Sequence, residues 1–573
     1  MHTTHVATTS VAVRTVAPAR WWLPGAVAGS VFALISIAAA AGALDVPASG
    51  TPAWWAVTAF THLPFVVIVV FLSAGTVERV GYFWRGRRAA APGRLPNDVP
   101  TVCVQLPMFN EDAVASRVIS AVARLQWPAH RLEVQVLDDS TDPVARAIVD
   151  AACERARRER GVEISILRRE VRQGYKAGAL EAGRRRTDAE FIAIFDADFL
   201  PTPDFLAKTV PHFYRGDGTA DESLALVQAQ WGHLNEDESA LTRAQALWVD
   251  DHHTVQMSWR SARWGFVNFT GTAGVWRASA IEVAGGWRAA SLVEDCELSF
   301  RHLFHGYRTT FVRDVVALAE LPSTYTAYKA QQKRWTQGWA QVQRLHLRTL
   351  ATRHDDVPLR KAHLLYHMCI PWQWPAWMLW IMTLPVLIHT GLWLGTWGAG
   401  VGIVLYLLPP VVWVIGATLV ASIETRDLYA AGPRRRVPWR RLGRIVPYVI
   451  ISTGMLPHQF TAFTEGLLGS LHSEFERTPK SASIAAQPGQ SPAASRVRIH
   501  RPYVVTEIFF VIFQLSWGAV FALQGMIYPA LTAIAIAVCV VALGTRYGDD
   551  AGPRVVGIRR PSTVAVTPSA ARG

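Results

Sequence analysis

The sequence predicts an α/β domain embedded in a multi-pass α-helical membrane domain. Half of the 573 residues are hydrophobic, and long apolar stretches lie towards both ends of the chain. Between them, residues 98–350 mix charged residues with short apolar runs, as a soluble domain does. Several of these short runs end in acidic residues, which is typical of strands at the ligand-binding edge of a parallel α/β sheet.

Long apolar stretches predict the membrane-spanning helices, because each is near the roughly 20 residues that a helix needs to cross a bilayer. The expected spans are 22–44, 54–75, 364–390, 400–423, 503–523 and 526–544. A cleavable signal peptide is the alternative for the first of them. The stretch 445–469 carries Pro447, Pro457, His458 and Glu465, which favours a re-entrant or interfacial helix over a span.

Arginine clusters beside these stretches set the expected orientation. By the positive-inside rule, the clusters and the 98–350 domain lie in the cytoplasm, and the Arg- and Ala-rich usage suggests a bacterial plasma membrane. The net charge of +13 is therefore explained by basic clusters that contact the headgroups of the lipid bilayer, and no nucleic acid partner is expected. The clusters are Arg85, Arg87 and Arg88, and then Arg434, Arg435, Arg436, Arg440, Arg441 and Arg444.

These patterns divide the chain into segments. Five scattered cysteines without CxxC spacing indicate neither a disulfide framework nor a zinc site. The expected segments are an N-terminal transmembrane hairpin (1–97), a cytoplasmic α/β domain (98–350), a membrane domain with two spans and an interfacial or re-entrant helix (351–477), a flexible loop (478–502), a C-terminal transmembrane hairpin (503–545) and a disordered tail (546–573).

The stretch FIAIFDADF, residues 191–199, is the most informative one. Its five leading apolar residues predict a buried parallel strand that ends at Asp196 and Asp198. Residues i and i+2 of a strand point to the same face, so both carboxylates can bind one divalent cation, typically Mg²⁺ or Mn²⁺, that also holds a diphosphate. A helix cap or a solvated turn is the alternative interpretation of such a motif.

Two further strand ends precede this stretch. A strand at 132–137 ends in DDSTD, residues 138–142, where one acid can cap the following helix while another binds a base. A strand at 162–167 leads to RQGYKAG, residues 172–178, whose Lys176 at a helix start suits phosphate or ribose contact, or is simply solvated. With the opening strand at 101–107, these ends meet at one edge of the sheet.

Three later motifs complete the pattern. The small residues of FTGTAG, 269–274, allow the backbone to approach a ligand closely. Glu294 and Asp295 lie in the first turn of a predicted helix, where acids can also simply complement the helix dipole. QQKRWTQGW, residues 331–339, lies on a polar, aromatic helix just before the membrane, where interfacial Trp and Arg are also ordinary.

In this order, the motifs resemble the processive family 2 glycosyltransferases, which include the cellulose, chitin and hyaluronan synthases. The similarity covers about residues 98–480 and is closest to the plant cellulose-synthase-like A and C proteins, the mannan synthases and xyloglucan-backbone glucan synthases. The motifs that carry it are LPMFNE (106–111), VLDDSTDP (136–143), GYKAGAL (174–180), FDADF (195–199), GTAGVWR (271–277), ELPST (320–324) and Gln331-x-x-Arg334-Trp335. One departure is Val293, where cellulose synthases carry threonine.

The resemblance implies a GT-A nucleotide-sugar transferase fold and a role for each matching residue. Asp295, next to Glu294, is the expected general base, and Trp335 is expected to bind the end of the growing chain. Asp196 and Asp198 are expected to hold the metal and the diphosphate. The expected donor-binding residues are Glu111, Asp138, Asp139 and Lys176 in the uridine or guanosine pocket, with Gln331 and Arg334 on the diphosphate.

The implied activity is that of an inverting, processive β-glycosyltransferase that polymerises a β-1,4-linked mannan, glucomannan or glucan. GDP-mannose and UDP-glucose both fit as donors, and the polysaccharide would pass between the spans. The motifs specify no accessory subunit or oligomer. The alternatives are transfer of one sugar to a lipid carrier and a transporter with a regulatory nucleotide-binding domain. Trp372, Trp374, Trp377, Trp380, Trp393 and Trp397 suit sugar stacking, or form interfacial belts and helix contacts.

Overall fold

The structure is a computed structural model. It describes residues 20–88, 90–353, 357–394, 413, 415–416, 420, 442–471 and 501–544. Several expected features lie outside these residues. They are nearly all of the span at 400–423, the arginines from Arg434 to Arg441, the loop up to residue 500, Trp397 and the tail at 546–573.

Three helices precede the α/β domain: α1 Leu23–Ala40, α2 Pro52–Thr61 and α3 Leu63–Gly81, the last continuing into a π-helical turn, Tyr82–Gly86. The structure divides the stretch expected as a span at 54–75 at His62, and its second part belongs to Leu63–Gly86, which is long and apolar enough to cross a bilayer. Pro64 explains the break, since a proline in the first turn of a helix lacks the N–H that would continue a preceding helix.

A seven-stranded sheet organises the α/β domain. Its strands are β1 Val102–Met108, β2 Leu132–Asp138, β3 Glu163–Leu167, β4 Phe191–Ile194, β5 Leu224–His233, β6 Gly274–Arg277 and β7 Arg308–Ala319. Their order is β3-β2-β1-β4-β6-β5-β7. The predicted parallel sheet is in fact mixed, because β6 runs antiparallel to both β4 and β5. All other strands run in one direction, so their carboxyl ends lie at one edge.

Helices cover both faces of the sheet. They are α4 Ala115–Val122, α5 Pro143–Arg160, α6 Tyr175–Arg184, α7 Phe205–Thr209, α8 Ala240–Asp250, α9 Ser258–Trp264, α10 Ala278–Val283 and α11 Glu294–Phe304. Phe191 packs into the core on one face and Ile192 into the core on the other, as the alternation of a strand requires. Burial on both faces explains why the strands are continuous apolar runs.

The remaining helices connect this domain to the membrane. They are α12 Tyr325–Thr352, α13 Pro358–Met368, α14 Gln373–Thr390, α15 Ile445–Leu468, α16 Arg501–Leu523 and α17 Ile527–Gly544. The span expected at 364–390 is divided, since a 3₁₀ turn, Ile370–Trp372, separates α13 from α14. The segment at 445–469 forms one continuous helix of 24 residues that packs along α12.

The protein is a membrane protein. Among the described residues, three helical stretches are long and apolar enough to cross a bilayer: Leu23–Ala40, Leu63–Gly86 and Arg501–Leu523. Ile527–Leu543 is apolar but shorter, while α14 and α15 are not among the three. The larger number of spans and the segment boundaries predicted from the sequence remain predictions.

Candidate active site

A cavity of about 190 Å³ lies at the carboxyl edge of the sheet. Segments that follow β1, β2, β4, β5 and β7 form its walls, together with α11 and α12. All the sequence-predicted site residues except Asp138 line it. They are Glu111, Asp139, Lys176, Asp196, Asp198, Glu294, Asp295, Gln331, Arg334 and Trp335. The edge of the sheet at which ligands were expected is therefore the edge that carries the cavity.

Asp196 and Asp198 lie in a turn after β4, since that strand ends at Ile194. The expectation that strand alternation brings the two carboxylates together is therefore wrong. Backbone hydrogen bonds hold the turn instead: Phe199 N donates to Asp196 O at 2.9 Å, and Asp196 N donates to Thr272 Oγ1 at 2.9 Å. Both carboxylates nevertheless reach the same cavity.

Lys176 crosses the cavity floor from the first turn of α6. Its Nζ donates to Asp196 Oδ1 at 2.6 Å and to Gly271 O at 2.8 Å. Burial alone would lower the pKa of Lys176, but Asp196 and Glu294 outweigh burial and raise it. Lys176 therefore stays protonated beside Asp196.

Gly271 brings the backbone against Asp295. Its φ is +87°, and a Cβ at this position would lie 3.0 Å from Asp295 Oδ2 and 3.6 Å from Lys176 Nζ. The positive φ and the lack of space both require glycine. The small residues of the 269–274 loop were expected to let the backbone approach a ligand closely. In the structure, the backbone of Gly271 lies against Asp295 and Lys176.

Glu294 and Asp295 begin α11, as predicted, and Glu294 is buried whereas Asp295 is half-buried. Burial raises the pKa of Asp295 to about 7, the neighbouring Glu294 carboxylate adds to the increase, and Lys176 opposes it. Burial also raises the pKa of Glu294, again against Lys176. A carboxylate with a pKa near neutral can accept a proton from a hydroxyl group and later release it.

The two adjacent aspartates after β2 point in different directions. Asp138 is completely buried outside the cavity lining, where Oδ2 accepts from Arg168 Nε at 2.8 Å and Oδ1 from Ser140 N at 3.1 Å. Asp139 lines the cavity and accepts hydrogen bonds from Nε and Nη2 of Arg169. Of the two predicted donor-binding aspartates, Asp139 therefore lines the cavity and Asp138 does not, and the donor-binding role of both stays a prediction.

The helix α12 supplies the cavity wall nearest the membrane. Burial lowers the pKa of Arg334, and the Glu294 and Asp196 carboxylates oppose that shift. Trp335 stacks on Trp248 of α8, with the ring centroids 5.9 Å apart and the planes inclined by 30°. The two rings form one apolar platform beside the acid pair.

A second cavity of about 230 Å³ adjoins the first. Asp295, Trp248 and Trp335 line both, so the acid stands at their junction. The second cavity continues to Trp374 and Trp377 of α14, two of the tryptophans for which sugar stacking was expected. Trp380 packs instead against Phe65 and His62, with ring centroids 4.8 and 5.4 Å away.

The cavity lining fits a divalent cation. Among the described residues, seven carboxylates but only three lysine or arginine side chains line the first cavity. A diphosphate would be repelled by this excess of negative charge unless a cation accompanied it. The described residues hold no cluster of three or more His, Cys, Asp or Glu side chains suited to a metal. The donor set therefore suits an ion bound by Asp196 and Asp198 and completed by phosphate oxygens and water.

Sequence reasoning missed several residues of the cavity. His233 ends β5 and shares a 2.9 Å hydrogen bond between Nε2 and Asp250 Oδ1. Glu320 follows β7 and lies 2.8 Å from Arg117 Nη2. Arg172 lies over Phe109, 3.5 Å from the ring centroid. The positions of His233 and Glu320 at strand ends could have been recognised from the sequence as positions at the ligand-binding edge. Nothing in the sequence around Trp248 indicates that it stacks on Trp335.

Two protein-family models match the part of the chain that forms the α/β domain and the helices after it. Residues 103–271 match the model described as glycosyl transferase family 2, and residues 191–421 match the one described as glycosyl transferase family group 2. The first match covers the strands from β1 to β5 and the 269–271 turn. The second contains Glu294, Asp295, Gln331, Arg334 and Trp335.

Similar curated proteins come from plants. Glucomannan 4-beta-mannosyltransferase 1 of Oryza sativa subsp. japonica is 44% identical over 271 residues, which are 47% of this chain and 51% of that protein. Probable glucomannan 4-beta-mannosyltransferase 3 of Arabidopsis thaliana is 38% identical over 309 residues, 53% of this chain and 54% of that protein. The chain thus spans about half the length of these relatives. Plant relatives lend no support to the expected bacterial membrane.

Among solved structures, the mannosyltransferase PcManGT from Pyrobaculum calidifontis, in complex with GDP-Man and Mn2+, is similar with a TM-score of 0.44 and 19% sequence identity. The similarity covers 65% of this chain and 100% of that chain. A likeness of this size carries no argument about function.

Proposed function

We propose that this chain, which carries a family 2 glycosyltransferase domain, is an inverting, processive β-glycosyltransferase of the membrane. Its product would be a β-1,4-linked polysaccharide with mannose in the backbone, made from a nucleotide sugar at the cytoplasmic face. The relatives named as glucomannan 4-beta-mannosyltransferases support mannose as the transferred sugar.

One observation carries the proposal. Asp295 has a pKa raised to about 7 and stands at the junction of the two cavities. The acidic cavity suits a nucleotide diphosphate sugar with its cation, and the aromatic cavity suits a carbohydrate chain. Asp295 therefore lies where the donor in the first cavity and the acceptor in the second cavity have to meet.

The reaction needs one displacement at the anomeric carbon. The terminal hydroxyl of the acceptor attacks this carbon, and Asp295 takes the hydroxyl proton as the new C–O bond forms. The bond between the anomeric carbon and the diphosphate oxygen breaks, and the nucleoside diphosphate leaves with the electron pair. Attack from the side opposite the leaving group converts an α-linked donor into a β-linkage.

Charged side chains are available for the leaving diphosphate. Asp196 and Asp198 would hold Mg²⁺ or Mn²⁺, which would neutralise the negative charge that develops on the leaving group. Arg334 can donate two parallel hydrogen bonds to phosphate oxygens from the opposite wall. Gln331, Glu111 and Asp139 remain our candidates for further contacts with the donor.

The platform formed by Trp248 and Trp335 would hold the terminal sugar of the acceptor. Aromatic faces suit the apolar faces of pyranose rings, and Trp374 and Trp377 extend this surface towards the membrane helices. After each transfer the lengthened chain would move by one sugar into the second cavity. Translocation through the membrane domain would follow from that direction of growth.

The experiment is incorporation of labelled sugar by the full chain purified into vesicles. GDP-mannose and UDP-glucose are offered separately with Mg²⁺ or Mn²⁺, and the product is sized and digested with β-mannanase or β-glucanase. We expect a long, β-mannanase-sensitive polymer from GDP-mannose and none from the Asp295→Asn variant. A short product attached to lipid would contradict processive synthesis, and polymer from UDP-glucose alone would contradict mannose as the backbone sugar.

A further inference from the structure

The helix α12 carries Gln331, Arg334 and Trp335, which we propose to bind the donor and the acceptor. A different face of the same helix contacts α15 and α16. Tyr328, Gln331, Gln332, Trp335 and Trp339 line the two cavities. Their spacing of three or four residues places them on one stripe of the helix. Lys329 and Lys333 lie on another stripe, which faces α15 and α16.

The first contact of that stripe is a buried ion pair. Lys329 Nζ donates to Glu507 Oε1 of α16 at 2.9 Å, and the two side chains are 4% and 6% exposed. His458 of α15 adds to it, with Nδ1 3.5 Å from Glu507 Oε1 and Nε2 3.1 Å from the carbonyl oxygen of Lys329. Glu507 is in a helix apolar enough to span the membrane. A carboxylate is costly there and is expected to have a function.

A second cluster repeats the pattern one turn further along α12. Lys333 Nζ lies 3.9 Å from Glu465 Oε2 of α15 and 5.1 Å from the ring centroid of Tyr503 of α16. Tyr503 donates from its hydroxyl to Glu465 Oε2 at 2.5 Å. Each lysine of the stripe therefore meets a carboxylate of α15 or α16, and contacts at each lysine residue reach both helices.

Close backbone contacts make α12 sensitive to this attachment. A Cβ at Gly466 of α15 would overlap the carbonyl oxygen of Gln337, so the two helices touch at their backbones. On its other side α12 approaches the start of α11, since a Cβ at Gly338 would lie 2.8 Å from Val293 Cγ1. The helix α12 thus lies between α15 and the segment that carries Asp295, so a shift of α12 changes the distance between Trp335 and Asp295.

We propose that Lys329, Lys333, His458, Glu465, Tyr503 and Glu507 form a clamp that holds α12 in register with the membrane helices and so positions Trp335 for chain elongation. The members of this α12 clamp are positioning residues, because they reach the site through the helix. The inference rests on the proposed function for its consequence, since the platform matters for a growing chain. Its structural part, the register of α12 against α15, can be measured without activity.

The variant Glu507→Gln tests the clamp, because it removes the charge and keeps the shape of the side chain. We expect donor affinity to stay the same, while the ratio of sugar transfer to donor hydrolysis falls by about tenfold and the polymer shortens, since small misplacements of reacting groups cost large factors in rate. The double variant Lys329→Glu with Glu507→Lys restores the ion pair and is expected to recover polymer length.

Glu78→Gln is the matched control. Glu78 is a fully buried carboxylate of α3 that accepts from Arg260 Nε of α9 at 2.6 Å and lies 3.5 Å from His363 Nε2, and neither partner belongs to the α12 clamp. The Glu78→Gln variant loses a buried ion pair of the same kind, which joins α3 to α9 of the α/β domain. We expect it to lower thermal stability in detergent without shortening the polymer. Equal shortening in both variants would overturn the proposal, as would an unchanged polymer in Glu507→Gln.

A cross-linking measurement separates the clamp from the activity. Thr336 donates from Oγ1 to Gln459 Oε1 of α15, so cysteines placed at these two positions are within reach of a short bifunctional thiol reagent. We expect efficient cross-linking in this background and a clear loss of yield when Glu507→Gln is added. If the parent chain makes no polymer, the proposed function fails, yet the cross-linking yield still decides the clamp. An undiminished yield with Glu507→Gln would overturn it.

Discussion

Lys176 Nζ donates a 2.6 Å hydrogen bond to Asp196 Oδ1, so the first aspartate of the Asp-x-Asp motif is paired with a cation. The same nitrogen is bound to the carbonyl oxygen of Gly271. This arrangement links the turn after β4 to the loop that presses on Asp295. Asp198 follows two residues later and is a buried residue of the same cavity. The resemblance to family 2 glycosyltransferases makes it our more direct candidate ligand for a divalent cation.

Asp198→Ala should therefore abolish metal-dependent donor binding. The reason is that an ion bound by two carboxylates and a diphosphate loses one of its two protein ligands. Nucleotide affinity is measured by titration of the full chain in detergent, with and without Mn²⁺. Donor affinity at saturating Mn²⁺ equal to that of the parent chain would remove Asp198 from the metal site.

Asp295→Asn should leave donor binding intact and lower the rate of sugar transfer roughly 10²- to 10⁴-fold, because the amide cannot accept the hydroxyl proton. Single-turnover transfer and nucleotide titration measure the two effects. Glu297→Gln in the same helix is the control, since this carboxylate is bound to Arg301 and His346 outside the cavity lining. Transfer at the parental rate in Asp295→Asn would exclude it as the base.

The rate of transfer should rise with pH and level off above about 7. The general base works as the carboxylate, and the raised pKa of Asp295 means that the protonated, inactive form prevails below that value. Initial rates at saturating acceptor between pH 5 and 9 provide the profile. A rate independent of pH across this range would show that ionisation of Asp295 does not limit transfer.

Gly271→Ala should cost both stability and activity. A left-handed φ costs an L-residue roughly 1–2 kcal/mol, and the added methyl group would push against Asp295 Oδ2. Gly306→Ala is the matched control, because its φ is +82° but no heavy atom lies within 4 Å of the added Cβ. Thermal unfolding should shift similarly in both, whereas transfer should fall in Gly271→Ala. Parental activity in Gly271→Ala would contradict the close contact.

Trp335→Ala should impair elongation more than donor hydrolysis, because it removes one of the two rings of the acceptor platform. The ratio of polymer formed to nucleotide released measures the effect. Trp372→Ala is the control, as this tryptophan is 40% exposed and lines neither cavity. Equal losses of elongation and hydrolysis in Trp335→Ala would argue against an acceptor platform.

The residues of the site that follow strands could be predicted from the local sequence. The predicted family 2 glycosyltransferase domain agrees with the family-model matches over residues 103–271 and 191–421. Apolar runs ending in acids predicted the strands, and the rule for parallel sheets placed Glu111, Lys176, Asp196 and Asp198 at one edge. These inferences succeed because strand periodicity and burial are read within a few residues. The assigned roles of the individual residues remain predictions.

The sequence by itself determined the domain type, the acidic edge and the membrane setting of this protein. The tertiary structure was needed to see that Asp139 and not Asp138 faces the cavity, that Trp248 meets Trp335, and that lysines of α12 pair with carboxylates of α15 and α16. The physical reason is the range of the interactions. Alternation within a strand depends on neighbouring residues, whereas side-chain direction after a strand end and the docking of α12 depend on partners far away in the chain.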